Sequence, residues 1–157
     1  MNSRLGVSEV KDCEVYHITT QYLTPNTMRN TKYHDERKYK GDYKNKIESV
    51  AEKVRIKLNN SSNIIYPSRY KCLYVCDKEH VRYWFNYMLK HRGVLPRIYK
   101  TKLTGVMLWT YADLLSLGNY YDYWCAIGDD NFQQLEGLFD GEYEILSEHK
   151  IDEFPDM

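Results

Sequence analysis

Cys72-Leu73-Tyr74-Val75-Cys76-Asp77 is a compact run of strand-forming residues ending on a side chain suited to open a helix. Beyond Asp77, with His80 at the third helical position, Val81, Trp84, Phe85, Met88 and Leu89 recur at helical spacing and predict a buried stripe. His91-Arg92-Gly93 closes that helix, with basic residues in the last turn and glycine after them. Upstream, Tyr43, Ile47, Val50, Ala51, Val54 and Leu58 predict an amphipathic helix of about four turns at 3.6 residues per turn. Asn59-Asn60-Ser61-Ser62-Asn63 stops it.

Outward from this centre, Cys13-Glu14-Val15-Tyr16-His17-Ile18-Thr19 alternates and reads as a first strand, followed by the turn signal Thr24-Pro25-Asn26. Residues 28–42 are polar, basic and aperiodic, and are expected to form a loop or mobile arm. After the second helix, Arg97 to Leu103 and Val106 to Trp109 alternate as strands on either side of Gly105. Tyr111 to Leu115 predicts a short helix, and Phe132, Leu135, Leu138 and Phe139 another. Glu142 to Leu146 predicts a last strand, and residues 150–157 a frayed acidic tail. The order is strand, helix, strand, helix and then mostly strands, which makes residues 1–157 one α+β domain.

Bulk properties exclude some classes. The 157 residues carry zero formal net charge, so the whole molecule has no electrostatic pull on nucleic acid or membrane. Locally the charge divides: Arg29 to Lys57 is mainly basic, whereas from Tyr111 to Met157 acids dominate and Lys150 is the only Lys or Arg. Tyrosine is abundant, at 16 residues. Cys13, Cys72, Cys76 and Cys125 lack metal-ligand spacing and read as free, buried thiols, which points to a reducing compartment. With a mixed, polar N-terminus and no long apolar run, the expectation is a cytoplasmic protein without membrane contact.

GxSxG, P-loop, GxGxxG and HExxH signatures are all absent. Three segments remain: Tyr16-His17-Ile18-Thr19, Pro67-Ser68-Arg69-Tyr70-Lys71-Cys72-Leu73-Tyr74-Val75-Cys76-Asp77, and Gly141-Glu142-Tyr143-Glu144-Ile145-Leu146. In order and content they resemble the ADP-ribosyltransferase superfamily, in its His–Tyr–Glu branch of diphtheria-toxin and poly(ADP-ribose) polymerase type, and above all its small bacterial and phage members. The resemblance implies an ADP-ribosyltransferase-like split β-sheet core with two main helices. It also implies NAD as a substrate, no metal, and a catalytic set of His17, Tyr74 and Glu142. His17 would hydrogen-bond the adenosine ribose, with Thr19, Ser68 and Arg69 also binding NAD. Tyr74 would stack on nicotinamide, and Glu142 would stabilise the oxocarbenium-like ribose left as nicotinamide departs.

Each residue has a plainer reading. His17 can be a satisfied strand histidine, Tyr74 sheet packing, and Trp84 and Phe85 helix core. Glu142 and Glu144 share a face at period two, so either can be the carboxylate. Arg69 can grip a pyrophosphate or pair with a C-terminal acid. The functional expectation is a mono-ADP-ribosyltransferase or NAD glycohydrolase, its acceptor expected to be a protein. The alternative is a non-catalytic phage or mobile-element inhibitor that blocks a host protein through an acidic, tyrosine-rich surface. Nucleic-acid binding through Arg29 to Lys57 is disfavoured, because acids are interspersed there.

Overall fold

Two long strands carry the architecture: β4 (Arg97–Tyr111) and β5 (Leu135–His149) pair antiparallel along nearly their whole length. β1 (Gly6–Thr19) pairs with the other side of β4. β2 (Thr27–Asn30) and β3 (Leu73–Val75) share the remaining edge of β5, at residues 142–145 and 137–139 respectively. The helices are α1 (Tyr43–Ser61), α2 (Val81–Arg92), α3 (Asp113–Ser116) and α4 (Tyr120–Cys125). This computed structural model describes residues 5–34 and 43–154, less the side chains of residues 43–45. The result is a small α+β domain built on one antiparallel sheet. None of its described helices is long and apolar enough to cross a membrane.

The sheet curls until its edges touch. Just past β3, Cys76 exchanges backbone hydrogen bonds with Tyr16 of β1 (3.0 and 2.8 Å), so β1, β4, β5 and β3 form a ring closed by a single bridge. A bend is needed for this, and three features supply it at one level. A bulge interrupts β1 between Val10 and Cys13, where Asp12 has a φ of 51° and its N–H donates to Thr104 Oγ1 at 3.1 Å. On the neighbouring strands Gly105 and Gly141 face each other at φ of 159° and 147°. A Cβ on Gly105 would collide with the Asp140 carbonyl oxygen, and one on Gly141 would stand 2.6 Å from that of Thr104. Glycine is therefore required at both positions by backbone contact as well as by torsion.

Residues opposite one another on adjacent strands share a face. One face of the ring, carrying Val15, Leu73, Tyr99, Leu103, Met107 and Phe139, packs inward as the central core. Outside, α1, α3 and α4 cover Leu108 and Leu138 with Ala51, Leu114, Tyr123 and Trp124. α2 covers Ile18 and Ile98 with Val81 and Phe85. Its start and stop follow the sequence signals: Asp77 accepts from the His80 N–H (3.0 Å), and Gly93 is left-handed with its N–H on the Leu89 carbonyl (3.0 Å). Trp84 is helix core, donating Nε1–H to the Leu135 carbonyl at 2.8 Å, whereas Leu89 of the expected stripe is exposed.

Three expectations are corrected. The helix expected over Phe132 to Phe139 is instead the start of β5. Its apolar spacing arises because that strand is covered on both faces, with Leu135 and Phe139 inward and Leu138 outward, which imitates helical spacing. Residues 28–33 are ordered as part of β2 and a 3-10 turn; the Asn26 N–H donates to the Ile145 carbonyl and begins the ladder. Residues 35–42 of the expected arm lie outside the described residues. The acidic tail is docked through Phe154, which is buried against α2 while Arg82 donates to its carbonyl (2.8 Å). Residues 155–157 lie outside the described residues. No disulfide joins the four cysteines; Cys72 and Cys76 are buried as expected, whereas Cys13 is half-buried and Cys125 is exposed.

Gly105→Val places a branched side chain against the β5 backbone, where nothing flexible can yield. It is expected to cost about 3 kcal/mol, seen as a lowered denaturant midpoint with an unchanged slope.

Candidate functional site at the mouth of the curled sheet

The middle motif builds a buried ionic cluster on the outer face. Arg69, only 8% exposed, sits in the irregular segment that leads into β3. Its Nε and Nη2 donate to the two oxygens of Glu48 on α1 (2.7 and 2.9 Å). Its Nη1 donates to Glu136 of β5 (2.8 Å) and to the Tyr123 hydroxyl of α4 (2.6 Å). Glu52, one turn along from Glu48, accepts from the Arg69 backbone N–H (2.7 Å) and from the Ser68 hydroxyl (3.1 Å). Burial opposes the arginine charge, but Tyr123, Tyr74, Glu136 and Glu48 more than reverse this and hold the guanidinium protonated well above its ordinary value. The Tyr74 ring lies 5.1 Å from this guanidinium, and its hydroxyl donates to the Arg69 carbonyl at 2.8 Å. Arg69 therefore pairs with a C-terminal acid, Glu136, and also with the α1 carboxylate Glu48.

His17 and Tyr74 are neighbours, but not through their rings. The imidazole Nδ1–H of His17 donates to the Tyr74 backbone carbonyl at 2.7 Å, which makes Nε2 the acceptor in the neutral ring. By register Tyr74 faces outward with Leu138, whereas His17 shares the inner face with Tyr99. Continuing across the sheet, Tyr99 is opposite Glu148, so His17, Tyr99 and Glu148 form one row at the open end of the ring. The next pair in that direction is Thr19 with Arg97. The Arg97 Nη1 contacts both Glu148 oxygens at 3.1 Å, and the Tyr22 ring stacks 5.2 Å from the guanidinium. Fully buried Tyr99 anchors the rim by accepting the Leu23 N–H at 2.8 Å. The mouth thus combines an imidazole, a carboxylate, a guanidinium, a hydroxyl and an exposed aromatic ring.

Glu142 and Glu144 do not join this row. Glu142 is exposed, opposite Thr104 and Asn30, and Glu144 is opposite Lys102 and Met28. On β4, Thr104 lies five residues from Tyr99, about 17 Å at 3.4 Å per residue. Face matters as much as distance. Thr101 pairs with Ile145 but Lys100 pairs with Ser147, so Leu146 is an extra residue on β5. This bulge reverses the alternation, turning Glu148 to the side of His17 while Glu142 and Glu144 face out. The sequence reading missed Glu148 because it ended the last strand at Leu146, whereas β5 runs on to His149.

A family described as a protein of unknown function, DUF2441, matches residues 7–153. The chain belongs to this family. No curated protein matches it at a significant level. The DUF2441 match runs from β1 to the turn at Ile151–Glu153, so the Arg69 cluster and the His17 row both lie inside it. A surface hollow of ≈ 340 Å³ lies elsewhere, between Val54 of α1 and the 118–122 turn; of its lining residues only Asp122 and two tyrosines ionise.

Arg69→Ala would leave Glu48 and Glu136 buried without their cation. It is expected to destabilise the fold by about 3–5 kcal/mol, measured by chemical denaturation. Ser68→Ala, which removes one hydroxyl from Glu52, is expected to cost about 1 kcal/mol.

Proposed function

We propose that the mouth of the sheet binds NAD and cleaves its nicotinamide–ribose bond, as an ADP-ribosyltransferase or NAD glycohydrolase with a protein as the favoured acceptor. In this reading the single bridge between β1 and β3 is the seam of an ADP-ribosyltransferase-like split sheet, and α1 and α2 are its two main helices. The observation that carries the proposal is the His17–Tyr99–Glu148 row, which sets a carboxylate two strands from the histidine of the YHIT motif, about 10 Å at 4.8 Å per strand.

The roles follow from chemistry. As nicotinamide leaves, the ribose gains positive charge at the anomeric carbon, and Glu148 is the carboxylate on that face to offset it. His17, held by its Nδ1–H on the Tyr74 carbonyl, is the imidazole on the ribose side of the mouth. Arg97 is 41% exposed on its side chain and uses only Nη1 on Glu148, so a pyrophosphate can compete for its fork of donors. That exchange would leave Glu148 to face the sugar. Thr19 and the exposed Tyr22 complete the rim as a hydroxyl and a stacking surface. In this assignment Arg69, Ser68 and the Tyr74 ring support the fold behind the site, and Glu142 is outside it.

The blocking alternative draws less from the molecule. Within the acidic stretch after Tyr111, Tyr123 and Tyr143 are buried, Tyr120 is half-buried and Tyr121 is exposed, so this stretch presents few tyrosines on the surface.

Nicotinamide release from NAD, followed chromatographically, separates the two glutamates. Glu148→Gln is expected to lower the rate at least about 100-fold, while Glu142→Gln stays within about threefold of the parent. Loss of turnover on Glu142→Gln with Glu148→Gln active would refute the assignment, and no NAD binding or turnover in the unmodified protein would refute the proposed activity.

A further inference from the structure

The same bulge that turns Glu148 inward turns Ser147 and His149 outward, where they meet a third side chain. Ser147 Oγ is 2.8 Å from His149 Nε2, and His149 Nδ1 is 3.0 Å from Glu153 Oε1. The other Glu153 oxygen, Oε2, accepts the Lys150 N–H at 2.6 Å. That backbone bond foremost, and His149 after it, hold the Glu153 carboxyl below its ordinary range, so it is ionised and can only accept. Nδ1 therefore carries a proton, and in the neutral ring Nε2 presents its lone pair and the Ser147 hydroxyl donates to it. This is the order of nucleophile, base and orienting acid that activates a serine.

The surroundings fix the imidazole. Tyr16 and Phe154 meet its ring edge-on, at centroid distances of 6.0 and 6.3 Å. The turn at Ile151–Glu153 is tied down by Arg82, which donates to the carbonyls of Ile151 and Phe154. Helix-start capping accounts for the Glu153 contact with Lys150, but not for the Ser147 contact with His149. Lys100 is directly opposite Ser147, and its ammonium, 3.0 Å from Glu14, brings a positive charge to the same face.

We propose that Ser147, His149 and Glu153 form a second reactive centre, independent of the NAD reading, that hydrolyses small carboxylic esters. Ser147 Oγ bonds to the ester carbonyl carbon and passes its proton to His149 Nε2, with Lys100 the cation facing the oxyanion. The carbon–oxygen bond to the leaving alcohol then breaks, and His149 returns the proton to that alcohol. Water, deprotonated by His149, attacks the acyl carbon and releases the carboxylic acid with Ser147 restored. The net change is ester plus water to acid plus alcohol.

The test treats the full chain with a fluorophosphonate and, separately, with p-nitrophenyl acetate. The expected result is a phosphonyl adduct on Ser147, located by peptide mass spectrometry, with ester turnover beyond one equivalent. Ser147→Ala is expected to lower kcat/KM for the ester at least about 100-fold, and Glu153→Gln by about 10²–10⁴-fold, with thermal melting close to the parent in both. Glu142→Gln, which lies outside both the NAD reading and the Ser147 cluster, should leave ester turnover unchanged. Absence of the adduct at Ser147, or turnover in Ser147→Ala equal to the parent, overturns the proposal.

Discussion

The Arg69 guanidinium is the point at which the separate parts of the chain are tied together. It joins α1 through Glu48, β5 through Glu136 and α4 through Tyr123, while its own backbone N–H reaches Glu52 and its carbonyl holds the Tyr74 hydroxyl. Desolvating an arginine and two glutamates costs several kcal/mol per ion, and the Coulombic return depends on every donor being met. Its gain is therefore better described as definition than as raw stability. α1 can sit on the sheet in one register, because any slide would strand a charge.

That cluster fixes the outer face at the start of β5, and the proposed chemistry lies at the other end of the same strand. Between the two, the strand changes which residues it shows to each side. Up to Ile145 the inward residues are odd-numbered; the extra residue at Leu146 reverses this, and from Ser147 onward the even ones turn in. One backbone irregularity places a carboxylate on the same face as His17, two strands away, and a serine–histidine pair on the reverse face. Bulges near strand ends re-aim side chains in this way at little cost to pairing.

Much of the fold is legible in the sequence, and the limits have physical causes. Asp77, the Val81 and Phe85 stripe and Gly93 define α2 because capping and helical periodicity are local. The first part of β5 defeats the same reading because burial on both faces removes the alternation that marks a strand, whereas Glu142 to Leu146 keeps that alternation and reads as a strand. His17 and Tyr74 can be paired from motif order, since β1 and β3 meet at Tyr16 and Cys76, but the role of Arg69 cannot. Its partner Glu48 carries no signal beyond helix periodicity, and whether a buried arginine meets carboxylate or ligand is decided by tertiary placement. Glu148 was hidden for a different reason: the last strand reads as ending at Leu146, and the bulge there leaves no mark in composition.

The closed ring also constrains how the chain reaches its native state. Gly6 pairs with Trp109 and Thr19 with Arg97, so β1 has no ladder partner until β4 exists. β4 in turn needs β5, whose last residues lie near the C-terminus. During synthesis the first strand emerges long before its neighbours, with Val15 and Ile18 uncovered. Contacts this distant in sequence make closure slow relative to helix formation. The nascent chain can form α1 and α2 locally, but the sheet that gives them a surface to pack on is complete only once β5 has followed β4 out of the ribosome.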